Sequence, residues 1–501
     1  MSDILEGLNP AQREAASHVD GAMLILAGAG SGKTKTITAR LAYLLSNGVP
    51  AENTLTLTFT NKAAAEMRSR ALNLISGLNL SNVPLLCTFH KFGLLFLKFH
   101  ISELGRSANF QVIDTDDKKK IIKGFEINLP TSLLAAKIST YKNSLIAPKD
   151  IDELLKGEDD ELSRMYSGFY AHCADAYKRY EAYLATNNLV DFDDLLILPY
   201  KILSANDALC DEISRRYAYI TVDEYQDTND IQFKLLQKLC TAHENLAVVG
   251  DDDQSIYGWR GARIENILNF KDLFSNVKFI KLEQNYRSTD EILNAANELI
   301  SHNKNRLGKS LTSMNGGGEK IEILRSDEES IEAAKITEAI KKLLSSGVAP
   351  SQIAVLYRVN ALSRALEEGL NRAKIPYKMV GGVKFYERAE IKDTIAYLRL
   401  ANDEHDDFSM RRIINVPKRG IGKVSLAKLE ELSRLRLISL FDAFIEPDAG
   451  LSAKAAQALA ELKSGIASIS ALADTIKKID ALEPAFGLKA YYASLPDGAD
   501  R

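Results

Sequence analysis

The chain has 501 residues, 46% of them hydrophobic and 26% charged, with a formal net charge of −4. This length exceeds what one core supports and predicts two to four domains of ordinary soluble make-up. Absent are an apolar run long enough to span a bilayer, a basic-then-apolar secretion signal in the opening MSDILEGLNPAQ, and the strongly basic balance of an indiscriminate nucleic-acid coat.

Taken in chain order, short apolar runs that end in small or polar residues alternate with helical patterns. Met23–Ala27, Leu55–Phe59, Tyr219–Val222 and Leu246–Gly250 read as strands, and Asn61–Arg70 reads as a helix after the second. Continuous apolar strands that feed helices predict a parallel sheet covered on both faces, an α/β fold. Between His90 and Asp191 the pattern turns mostly helical, with charge clusters such as Asp116–Lys120, and predicts a helical insertion. A second α/β pattern begins near Val277, with Ile321–Leu324 and Ile353–Tyr357 as expected strands; after Glu390 the chain is helical again. Cys87, Cys173, Cys210 and Cys240 are far apart with no CxxC pair, and the seven histidines lack metal-ligand spacing. That pattern predicts a reduced, cytoplasmic setting and no metal except one that arrives with a nucleotide.

The strand Met23–Ala27 runs into Gly28-Ala29-Gly30-Ser31-Gly32-Lys33-Thr34 and then into a helix through Leu45. Here glycines let backbone N–H groups curl around phosphates at a helix N-terminus, Lys33 reaches the β/γ-phosphates, and the Thr34 hydroxyl ligates Mg²⁺. The generic pattern asks for glycine where Ala27 stands. Asp223-Glu224-Tyr225-Gln226-Asp227 follows the strand Tyr219–Val222, where carboxylates face a crevice at the strand ends. Asp223 is expected to hold Mg²⁺ through its water shell, and Glu224 to deprotonate the attacking water. A third strand ends in Gly250-Asp251-Asp252-Asp253-Gln254-Ser255-Ile256-Tyr257-Gly258-Trp259-Arg260. Gln254 is uncharged and suited to sensing a γ-phosphate. Tyr257 and the sole tryptophan, Trp259, beside Arg260 in a Gly-flanked polar loop, suit stacking on the bases of a single strand.

In this order the motifs resemble the superfamily 1A DNA helicases of the UvrD, Rep and PcrA type. The resemblance covers nearly the whole chain. Leu8-Asn9-Pro10-Ala11-Gln12-Arg13 resembles the family's Q motif, which implies that Gln12 reads the adenine edge; AGAGSGKT, Ala27 included, is the family's own P-loop. Thr58–Met67, Cys87–Gly93, Val190–Leu195, Asp223–Asn229, Leu282–Thr289, Leu356–Arg364, Gly381–Asp393 and Val416–Gly422 resemble its later motifs. With Gln284-Asn285-Tyr286-Arg287 matched to the family's motif, the resemblance implies that the Tyr286 ring stacks on adenine and that Arg287 reaches the γ-phosphate. It also implies base stacking by Phe59, Phe192, Tyr257 and Trp259, and DNA contacts from Arg260, Arg358, Asn360 and His90; Thr60 and Asn61, as caps of the helix after Phe59, suit its N-terminal amides to a phosphate. For Phe59 and Phe192, core packing at a strand end is the open alternative.

The implied architecture is a P-loop, RecA-like motor domain over 1–280 with a helical insertion at about 91–190. The N-terminal part of a second RecA-like domain follows over 281–385, and a partial helical domain over 386–501. Family segments resembling THxxKGLEF and QITRA or GITRA are not found, so the chain reads as C-terminally truncated relative to the family. The implied function is ATP- and Mg²⁺-dependent 3′→5′ translocation on single-stranded DNA, and unwinding at single/double-strand junctions, in repair or replication restart. The alternatives are a motor fragment of a recombination helicase–nuclease subunit and an ATP- or DNA-binding module with little turnover.

Overall fold

The computed structural model describes residues 4–76, 82–151, 161–274, 276–359, 362–380, 388–444, 446 and 449–495, the side chains of 161–167, 260 and 423 excepted. The chain divides into two compact units, Met1–Glu322 and Ile323–Arg501.

The first unit is built on a six-stranded parallel sheet. Helix α1 (Pro10–Ser17) precedes β1 (Met23–Ala27) and α2 (Lys33–Ser46); β2 (Thr54–Thr58), α3 (Asn61–Leu74), β3 (Leu85–Thr88) and α4 (Phe89–His100) follow. The expected insertion contains β4 (Gln111–Val112), α5 (Thr115–Lys123), α6 (Thr131–Asn143), α7 (Glu161–Thr186) and β5 (Leu189–Val190). The chain then returns through α8 (Asp194–Ala205), α9 (Asp207–Arg216), β6 (Tyr219–Val222), α10 (Asp230–Leu239) and β7 (Leu246–Gly250). After β7 come the short helix α11 (Glu265–Leu268), then β8 (Lys278–Leu282), β9 (Gln284–Asn285), α12 (Asp290–Ser301) and β10 (Thr312–Ser313). The strand order is β3-β2-β6-β7-β1-β8, while β4 pairs with β5 and β9 with β10.

The continuous apolar strands are buried on both faces, as a parallel sheet requires. Leu24, Leu26, Leu57, Val222 and Val248 face one core with Phe92, Leu195 and Leu235. Their neighbours Met23, Ile25, Ala27, Val249 and Ile280 face the other with Ile37, Leu41 and Met67. Parallel register aligns Ile25 with Val249 and Leu57 with Val222, so the strands end together. The P-loop, Asp223 and Asp251 therefore emerge side by side at the carboxyl edge.

Two expectations change. The strand near Val277 is β8, which pairs in parallel with β1 and completes the first sheet rather than opening a second. Ile321–Leu324 and Ile353–Tyr357 form no strand. Ile323 is 81% and Leu356 93% exposed, and strand status requires a ladder partner that neither segment has among the described residues.

The second unit is helical by itself. It includes Glu329–Ser345, Ser363–Arg372, Ala389–Asn402, Asp407–Ile413, Lys423–Arg436, Ala453–Ser470 and Thr475–Phe486. Its core gathers around Tyr397, Leu400, Met410, Phe441, Leu459 and Ile466. Among the described residues no helix is long and apolar enough to cross a membrane.

Candidate nucleotide and nucleic-acid site

Local chemistry fixes the P-loop. Gly30 and Gly32 have φ of 72° and 85°, left-handed values that a side chain resists, and Gly32 caps α2. Crowding adds to this: a Cβ on Gly28 would lie 2.4 Å from Leu311 Cδ2, and one on Gly30 2.6 Å from Arg287 Cβ. Ala27 ends β1 fully buried, where its methyl fills the sheet core. The Ser31 hydroxyl donates to the Gly28 carbonyl at 2.7 Å and closes the turn.

Across the crevice, Lys33 Nζ lies 3.2 Å from Glu224 Oε2. Glu224 itself has φ 51°, a left-handed setting for a non-glycine residue and a local strain of the kind found at functional sites. Gln226 Nε2 donates to the same Glu224 oxygen at 3.0 Å. Asp223 is buried, and its Oδ1 has no hydrogen-bond partner; Asp227 Oδ1 is in the same condition. Burial, and then the neighbouring Glu224, push the Asp223 carboxyl up to about 7 against the pull of Lys33. The same two causes raise Asp227 to about 6. Two starved carboxylates beside a lysine and the half-buried Thr34 are a donor set that fits a hard divalent cation carrying phosphate.

The Arg287 segment hangs directly on the P-loop. Tyr286 N–H donates to the Gly30 carbonyl at 3.0 Å, and Asn285 Nδ2 to the Ala29 carbonyl at 2.6 Å. Asn285 Oδ1 also accepts the backbone N–H groups of Arg287 and Ser288, both at 2.8 Å, which turns the chain so that Arg287 stands exposed above Gly30. Tyr286 is 46% exposed, and its hydroxyl accepts from Asn9 at 3.0 Å. Gln12 sits at the third position of α1 in a capping box with Asn9. It is 2% exposed; its Nε2 donates to the Ser31 carbonyl at 2.9 Å, and its Oε1 accepts the Asn9 N–H at 3.1 Å. The amide thus ties α1 to the P-loop, and adenine would have to compete for it.

A family model described as the UvrD/REP helicase N-terminal domain matches residues 8–275, and one described as the UvrD-like helicase C-terminal domain matches 280–465. The chain belongs to the UvrD/REP helicase family. It is similar to the ATP-dependent DNA helicase PcrA of Bacillus subtilis (strain 168), with 43% identity over 485 residues, 94% of this chain and 64% of that protein. Against the protein of the same name from Staphylococcus epidermidis (strain ATCC 12228), identity is 43% over 470 residues, 91% of this chain and 62% of the relative. The chain thus spans less than two thirds of the length of these relatives.

On this UvrD-type frame, the residues expected at nucleic acid divide by exposure. Trp259 is 72% and Tyr257 36% exposed, with ring centroids 6.4 Å apart, so both rings stand outside the core. Phe192 is 49% exposed and meets the exposed His90 ring edge-on at 6.2 Å. Phe59, by contrast, is half-buried against the core with Phe89 6.1 Å away, the packing alternative in part realised. Asn61 opens α3 in an exposed first turn capped by Thr60. Gln254 is exposed and donates to Asp251 Oδ2 at 2.5 Å. Arg358 is exposed but belongs to the second unit. Asn360 and the Arg260 side chain lie outside the described residues.

Sequence reasoning missed Gln226, Asn285 and Asp227, although all three lie inside motifs already singled out. It also missed Arg306 and Lys309, for which no local pattern exists.

Proposed function

We propose that the chain is the motor part of an ATP-dependent DNA helicase that moves 3′→5′ on single-stranded DNA and unwinds duplexes at single/double-strand junctions. The observation that carries this reading is the convergence of Lys33, Asp223, Glu224 and the Arg287 segment on one P-loop. In the proposed cycle Lys33, Gly28, Ala29, Gly30, Ser31, Gly32 and Thr34 bind the phosphates of ATP. Thr34 and Asp223 would hold Mg²⁺, which would offset the charge of the phosphate oxygens. Glu224 takes a proton from the attacking water, while Arg287 and Gln254 meet the γ-phosphate. Tyr286 covers the base. Tyr257, Trp259 and Phe192 stack on successive bases, each worth about 1–3 kcal/mol, an energy small enough to exchange as the strand advances.

The names of the relatives support DNA as the track and ATP as the fuel. The 3′→5′ polarity and a role in repair or replication restart rest on the family resemblance, and a cytoplasmic setting on the scattered cysteines. Phosphate release with and without single-stranded DNA tests the motor, and strand displacement from 3′-tailed against 5′-tailed duplexes tests the direction. Turnover that DNA does not stimulate contradicts the proposal.

A further inference from the structure

Asp251, Asp252 and Asp253 bring three carboxylates within 4.8 Å of one another, the outline of a cation site. The cation is already present as a side chain. Lys309 Nζ lies 2.6, 2.8 and 2.5 Å from the three aspartates, and the residue is 8% exposed. Arg306 grips Asp253 with two nitrogens at 2.9 and 2.7 Å, and the Leu307 N–H donates to Asp252 at 2.6 Å. Burial alone would pull the Lys309 ammonium down, but the aspartates, Asp251 first, hold it above its ordinary value.

The cluster sits between two functional surfaces. On one side, Asp251 N–H donates to Gln226 Oε1 at 2.9 Å, and Gln226 Nε2 donates to Glu224, which pairs with Lys33. Asp251 also accepts from Gln254, three residues before Tyr257. On the other side, the strap 306–313 continues past Lys309 to Leu311, which covers Gly28. It then runs to Thr312–Ser313, which pair with Gln284–Asn285 just before Arg287. One short segment therefore touches the P-loop, the Arg287 strand and the loop that carries the exposed rings. A buried charged cluster is a costly way to hold a loop, since an apolar contact of the same volume does so at least as well. What ion pairing adds is a defined geometry among several carboxylates.

We propose that Lys309, with Arg306, is the positioning element that couples nucleotide occupancy at Lys33 to the setting of the Tyr257–Trp259 loop. This rests on the motor reading above. Because Trp259 is the sole tryptophan and is exposed, its emission reports on that loop directly. The experiment titrates the chain with Mg²⁺ and a non-hydrolysable ATP analogue, following Trp259 emission, with analogue binding measured separately by calorimetry. Wild type is expected to bind and to change its emission. Lys309→Met is expected to bind the analogue while losing the emission change, with DNA stimulation of hydrolysis reduced about fivefold or more; Lys309→Arg is expected to restore both. If Lys309→Met does not fold, Arg306→Gln at the cluster's rim is expected to show the same loss in smaller measure. Folded variants that keep the wild-type emission change overturn the inference, as does a wild type that binds the analogue with no change at Trp259, and in both cases the motor reading stands. A wild type that binds no analogue overturns the motor reading, and this inference with it.

Discussion

Beside the Lys309 cluster, the first unit buries carboxylates next to lysines in the insertion and in the nucleotide crevice, and these two places differ in how completely those groups are satisfied. In the insertion, Asp191 accepts from Lys142 at 3.0 Å, Lys118 at 3.3 Å, the Tyr180 hydroxyl at 3.0 Å and the Asp194 N–H at 2.9 Å. Asp193 accepts from Lys118, Ser139 and Asn143 at 3.0, 2.7 and 2.9 Å. In the nucleotide crevice, Asp223 and Asp227 each keep a buried oxygen without a partner. A saturated cluster holds structure; a starved one awaits a ligand. The insertion cluster also holds Phe192 outward between two anchored aspartates.

The sharpest way to break this comparison is to alter the reacting group. On the proposed motor reading, Glu224→Gln keeps the hydrogen-bonding shape beside Lys33 but removes the proposed base, and should cut DNA-stimulated phosphate release by about 10²- to 10⁴-fold while nucleotide binding persists. A loss confined to binding would contradict the role. Next comes the saturated cluster: Lys142→Met strands buried carboxylates and should cost about 3–5 kcal/mol in urea unfolding, with nucleotide affinity in the folded fraction unchanged.

The starved site should behave in the opposite way. A carboxyl raised in the folded state stabilises the fold below its unfolded value near 4, and that contribution is lost as pH rises through about 7. Ligand-free Asp223→Asn should therefore be more stable than wild type at pH 8, by about 2–4 kcal/mol, and equal to it near pH 4. Thermal unfolding at the two pH values decides this, and a variant less stable at pH 8 would overturn the argument. The smallest effect belongs to Trp259→Ala, which should weaken single-stranded DNA binding by about 1–3 kcal/mol without touching nucleotide affinity. A fluorescence-anisotropy titration with labelled oligonucleotide measures it.

What was legible in the sequence was local. Glycines between an apolar strand and a helix announce a P-loop, and carboxylates just past another strand announce its partners, because strand, turn and helix are contiguous. The exposed pair Tyr257 and Trp259 was legible for the same reason, as aromatics in a polar, Gly-flanked loop. Contacts between distant segments were not. Lys118 reads as one more charge in Asp116–Lys120, yet it is buried against Asp191 and Asp193. Lys309 has no motif, and its buried ion pairing comes from meeting Asp251, Asp252 and Asp253, more than fifty positions earlier. Ile321–Leu324 and Ile353–Tyr357 have the composition of strands, but composition does not supply a neighbour to pair with.

The most direct measurement is the proton balance of Mg²⁺-nucleotide binding, read by titration calorimetry at pH 7 in two buffers of different ionisation enthalpy. An Asp223 carboxyl raised by burial that takes up the metal must give up its proton, so binding at pH 7 should release protons, and Asp223→Asn should remove most of that release. Binding with no proton release in wild type would mean that the starved carboxylate is not where the cation goes.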